Sequence, residues 1–180
     1  MLRSSLRAIV SCCFVSVLCG LSAGLVVRPG HAATVATPAL GTSQATPDEN
    51  RFLALINQER RARGLGVLTQ DPLLREVARR HSRDMAERGY FAHEAPTESL
   101  RTPMERYLAG LGRRPGYAVV GENLFYCSEL GVQRGHRSLM ESPGHRRNIL
   151  DKRYEAAGVG VYVSPDGEYF VTQMFLKQRD

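Results

Sequence analysis

Between Thr46 and Gly112 apolar side chains return every three to four residues, the period of helices that bury one face. Phe52, Leu55 and Ile56 share a stripe with Glu59 behind the start signal Thr46-Pro47-Asp48-Glu49, and Gly64 is the expected stop. A second stripe, Leu74, Val77, Ala78, His81 and Met85, follows Asp71-Pro72 and ends at Gly89. Thr102-Pro103-Met104-Glu105 opens a shorter third helix expected to finish near Gly110. The period then changes. Tyr117 to Tyr126 mixes β-branched and aromatic residues around Gly121-Glu122-Asn123 and reads as a short strand or an extended approach to one; Ser128 to Met140 reads as helical. Val159, Val161 and Val163 alternate ahead of the turn Ser164-Pro165-Asp166-Gly167, and Glu168 to Leu176 is the returning strand. Helices first and an antiparallel hairpin last, with no repeated β-α-β unit, predict an α+β layer fold rather than a dinucleotide-binding sheet.

The N-terminus changes how composition is counted. Met1 to Arg7 is basic, Ala8 to Val27 is an uncharged and mostly apolar run, and Gly30-x-Ala32 follows Pro29, which is the layout of a secretory signal peptide cleaved after Ala32. Residues 1–32 are therefore read as signal peptide, 33–48 as a flexible spacer of small uncharged residues, and 49–180 as the folded domain. Removing Arg3, Arg7 and Arg28 from 24 basic residues leaves 21 against 18 acidic ones, so the chain's charge of +6 becomes +3 and gives little support to a nucleic-acid partner. Cleavage also removes Cys12, Cys13 and Cys19, so with Cys127 the last cysteine no internal disulfide is expected. The esterase-like pattern Gly20-Leu21-Ser22-Ala23-Gly24 falls inside the removed segment and carries no chemistry. No transmembrane segment is expected after cleavage.

Four histidines remain. His81 lies on an apolar stripe and reads as a core imidazole; His136, between Arg134 and Arg137, is expected on a solvated face. His93 and His145 each follow a helix break, where a side chain can meet others outside the core. Neither H-E-x-x-H nor C-x-x-C is present, so a metal or acid-base site has to be assembled from distant segments. Cys127 reads more naturally as a small buried hydrophobe than as a nucleophile. The arginine doublets are expected on solvated faces.

The ordered strings HSRDMAERGYFAH (81–93), GENL (121–124), SPGHRRNIL (142–150) and GVGVYVSPDGEYFVTQMF (158–175) resemble the bacterial branch of the CAP superfamily, which groups cysteine-rich secretory, antigen-five and pathogenesis-related proteins. The resemblance implies a three-layer α-β-α sandwich with a mainly antiparallel sheet, secretion to an extracytoplasmic location, and a cleft lined by two histidines and two acids. Matched onto this chain, these are His93, Glu122 and His145, with Glu141 the nearest candidate for the second acid; Leu139 stands where bacterial relatives usually carry a Trp. The same resemblance implies a site at His93, Glu122 and His145 for Zn2+ or another divalent cation. An extracellular binding module with a wall, lipid or protein ligand is the expected function. The alternative is a hydrolase in which Glu122 or a metal-bound water acts as general base.

Overall fold

The computed structural model describes residues 43–128 and 131–180, so the expected signal peptide and most of the expected spacer lie outside the described residues. Strands β1 (Thr69–Gln70), β2 (Tyr117–Cys127), β3 (Ala156–Val163) and β4 (Tyr169–Arg179) form one sheet in the order β1-β3-β4-β2. β4 runs antiparallel to both β3 and β2, and the two-residue β1 pairs parallel with β3. β2, which the sequence suggested as a short strand, pairs with β4 along its whole length and sets Glu122 opposite Met174.

Side chains alternate across a strand, so a central strand covered on both faces must be non-charged on both. β4 meets this condition, being buried from Tyr169 through Leu176. Tyr169, Val171 and Phe175 pack with Phe52 and Ile56 of α1 (Pro47–Arg61), Leu139 of α4 (Val132–Glu141) and Ile149 of α5 (Pro143–Leu150). Met174 and Leu176 point the other way, against Leu74, Val77 and Ala78 of α2 (Pro72–Arg88) and Tyr107 of α3 (Pro103–Leu111). The result is the expected α-β-α sandwich.

The closest approach between layers is made by glycines. A Cβ on Gly158 would overlap the α2 backbone at Leu74 and Arg75, and one on Gly160 would overlap it at Ala78 and Arg79. Two strand residues advance about 6.6 Å and one helical turn of four residues about 6 Å, so the two glycines meet successive turns of α2. Ser82 of α2 bonds the Gly160 carbonyl (3.0 Å) and the Thr172 hydroxyl (2.9 Å) across this contact.

The helix starts are those read from the sequence. Thr46 and Glu49 form a capping box, as do Thr102 and Glu105, and Asp71 accepts from the Leu74 amide. The ends differ: α1 stops at Arg61, with Gly64 at positive φ in the following turn, and α3 runs to Leu111, where Gly112 takes the left-handed cap expected nearer Gly110. The end of the expected flexible spacer is ordered instead: Thr46 caps α1, which begins at Pro47, and Arg75 donates to the Ser43 carbonyl (2.6 Å) and Arg79 to that of Gln44 (2.8 Å). The break at Ser142-Pro143 opens α5, and Arg60 caps its far end, donating through Nη1 to the carbonyls of Ile149 and Asp151 (2.9 Å each). No helix among the described residues is long and apolar enough to cross a membrane.

His136 corrects the sequence reading. It is buried, because Val132, Gly135, His136 and Leu139 fall at i, i+3, i+4 and i+7 and form the inner stripe of α4, while Arg134 and Arg137 flank it. Neither ring nitrogen has a hydrogen-bond partner, and the nearest carboxylate oxygen, on Glu59, is 3.9 Å away. Burial holds the imidazole below its ordinary value near 6.5, with Glu59 opposing in part. A histidine depressed in the fold contributes stability that is complete above its unfolded pKa and is lost as pH falls through the folded one. Wild type should therefore lose stability from about pH 6.5 downward. His136→Leu should gain about 1–3 kcal/mol at pH 7 by removing two unsatisfied nitrogens, and should show a shallower acid slope. Urea unfolding at pH 7.5 and pH 5 checks both, and equal slopes for the two proteins would refute the assignment.

Candidate functional site

Three of the four expected cleft residues, His93, Glu122 and His145, come together at the middle of β2, an edge strand of the sheet. Glu122 points toward the α2 and α3 layer, as its alternation with Leu124 requires, and its side chain is 1% exposed. Both carboxylate oxygens are taken. His93 Nδ1–H donates to Oε1 (2.8 Å), and an Nη2–H of Arg106 donates to Oε2 (2.6 Å). The His93 side chain is 53% exposed, so Glu122 fixes the inner nitrogen of a ring whose Nε2 is left for a ligand.

Arg106 is the residue the sequence reading missed. It rises from α3, is buried, and donates to three backbone carbonyls besides the carboxylate: His93 (3.1 Å), Leu100 (3.1 Å) and Arg101 (2.8 Å). One guanidinium thus ties the His93 loop to the base of the site. Nothing local marks it out among the chain's 24 basic residues.

Asn123 faces the opposite layer and does the matching task there. Its Nδ2 donates to the His145 carbonyl (3.1 Å) and to Gln173 Oε1 (3.2 Å), while its Oδ1 accepts from Asn148 Nδ2 (2.9 Å). Asn148 also donates to the Glu122 carbonyl (3.0 Å). The consecutive pair Glu122-Asn123 therefore holds His93 on one side of the strand and the helix of His145 on the other. Both asparagines sit in the quoted motifs, yet their roles depend on which strand edge meets α5.

His145 is half-buried, and burial lowers its pKa, with the neighbouring His93 lowering it further. His81 is the core imidazole expected: its Nε2–H donates to the Ala92 carbonyl (3.1 Å), and it lies 3.9 Å from Glu122 Oε1. Burial is the main cause that lowers its pKa, against a partial rise from Glu122. Glu141 ends α4 on the exposed surface and, among the described residues, makes no hydrogen bond or ion pair with this cluster.

Glu122 does not fit the direct-ligand role expected of it in a divalent-cation centre, because both of its oxygens are taken. Glu122 already accepts from His93 and Arg106, and a guanidinium in direct contact with that carboxylate supplies the positive charge a dication would bring. Among the described residues no three His, Cys, Asp or Glu side chains gather as a metal-holding group. The carboxylate's observed role is to orient the imidazole.

The sequence matches the model of the cysteine-rich secretory protein family, CAP, over residues 53–175. The uncharacterized protein YkwD of Bacillus subtilis (strain 168) is 31% identical over 148 residues, covering 82% of this chain and 54% of that protein. An extracellular protein containing an SCP domain from Bacillus anthracis str. Ames is 30% identical with a TM-score of 0.62, covering 77% of this chain and 45% of that one. The chain thus spans about half the length of these two Bacillus relatives. The crystal structure of NaASP2 with Zn2+, 12% identical, shares the fold alone, with a TM-score of 0.52 over 72% of this chain and 80% of that one. With two thirds of its length under the family model and the ordered His93, Glu122 and His145 motifs on the sandwich just described, the chain belongs to the cysteine-rich secretory protein (CAP) family.

Proposed function

We propose that the protein is a secreted binding module whose ligand, from the wall, lipid or protein constituents of the cell envelope, engages the cleft at His93, Glu122 and His145. The observation that carries this reading is the buried Glu122 carboxylate, shared between His93 Nδ1 and Arg106, which presents His93 Nε2 outward as a fixed hydrogen-bond acceptor. The extracellular description of the Bacillus anthracis neighbour supports secretion. A complementary ligand offers a hydroxyl, amide N–H or ammonium donor to that nitrogen. The hydrolase reading draws on the same pair, since an imidazole oriented by a carboxylate is a general base, but the base is then His93 and Glu122 its support. Binding is favoured because, among the described residues, no hydroxyl or thiol is hydrogen-bonded to either imidazole.

Immobilised wild type and a His93→Ala/His145→Ala double variant should be compared for retention of wall fragments, lipids and envelope proteins. Wild type should retain one of these classes and the variant, with an unchanged circular dichroism spectrum, should lose it. Equal retention by both would remove the cleft from the function.

A further inference from the structure

A second surface lies further along β2, past the end of the cleft. Tyr126 is four residues beyond Glu122 on the same strand face, roughly 13 Å away, and Phe91 is two residues before His93. Phe91, Tyr126 and Phe170 are in ring contact, with centroids 5.8 Å apart for the first pair and 4.8 Å for the second, tilted by 47° and 48°. Together with Met85, Tyr90 and Glu168 they line a groove of about 280 Å³. Phe170 and Met85 belong to the core, but Phe91 is 50% and Tyr126 40% exposed. Packing accounts for the first two rather than for a pair of contiguous half-exposed rings.

Charge identifies what the rings are suited to hold. The Tyr126 hydroxyl donates to Glu168, and the Tyr90 hydroxyl donates to Asp84 (2.5 Å). Asp84 also lies 3.6 Å from Arg88, whereas Glu168 forms no ion pair with a cation among the described residues. A carboxylate without a counter-charge beside exposed aromatic faces attracts a cation, and apolar walls select one that sheds its water easily. Metal ions and compact ammonium groups are strongly hydrated; an alkylated ammonium is not. Phenols bonded to carboxylates also stay neutral, and both tyrosines are held above their ordinary pKa, Tyr126 chiefly by Glu168 and Tyr90 chiefly by burial.

We propose that the groove lined by Tyr90, Phe91, Tyr126, Phe170 and Glu168 binds a small organic quaternary ammonium ion of the choline type, with its methyl groups on the rings and its charge facing Glu168. Its lining residues are not those of the His93 cleft.

The test uses choline chloride and its uncharged carbon isostere 3,3-dimethyl-1-butanol, titrated into the purified protein while aromatic proton resonances are followed. Choline should shift the Phe91 and Tyr126 ring signals saturably, and the isostere should bind roughly three- to tenfold more weakly. Tyr126→Leu, which keeps apolar bulk, and Glu168→Gln should each weaken choline binding several-fold without changing the fold by circular dichroism. Equal binding of choline and isostere would overturn the proposal in favour of a merely apolar groove. So would no shift at the ring signals, or retention on phosphatidylcholine vesicles with no response to free choline, which would assign the groove to a membrane surface.

Discussion

Gly160→Ala is expected to leave no stably folded protein, or to cost more than about 4–5 kcal/mol if any fold survives. The added methyl would lie within the α2 backbone at Ala78 and Arg79, and neither element can retreat. β3 is hydrogen-bonded to β4 along its whole length and to β1 at its start, while α2 is anchored through Ser82 to the same strand and to Thr172. Overlap with a flexible side-chain end is relieved by rotation; overlap with main chain requires two layers to separate, and packed interiors resist that. Gly144→Ala, at the first turn of α5 with open space around its Cβ, serves as control and should be neutral or slightly stabilising. Thermal and urea unfolding of the two variants decide the matter. A Gly160→Ala protein melting within a few degrees of wild type would show the layer contact to be looser than described.

Arg106→Met is the second large expectation, a loss of about 3–5 kcal/mol. The substitution leaves the Glu122 carboxylate buried without its charge partner and frees the carbonyls of His93, Leu100 and Arg101. Because part of the loss comes from the stranded carboxylate, adding Glu122→Gln should return more than about 1 kcal/mol. Urea curves for wild type, both single variants and the double variant give the coupling. Strict additivity would mean that Arg106 matters only through the loop carbonyls.

The helices and the terminal hairpin were legible because each rests on a signal local to a few residues, whereas the pairing of His93 with Glu122 was expected only through the family resemblance. The caps at Thr46, Asp71 and Thr102 are such local signals, as is the alternation of Val159, Val161 and Val163. Gly158 and Gly160 interleave with those valines, yet their purpose depends on α2 lying against them. Arg106 was illegible for a similar reason: its partners stand 13 residues before it and 16 after, and only the fold brings them together. His136 was a different error. Its flanking arginines mark a solvated face, while Val132, Gly135 and Leu139 on its own stripe mark a buried one.

Among the described residues β2 is an eleven-residue strand with a neighbour on one side only, the kind of edge along which a second chain can add itself and propagate. At its midpoint the outward Glu122 carbonyl is already occupied by the Asn148 amide. A foreign strand approaching there meets α5, so the contact that sets His145 beside the cleft also guards the middle of this edge.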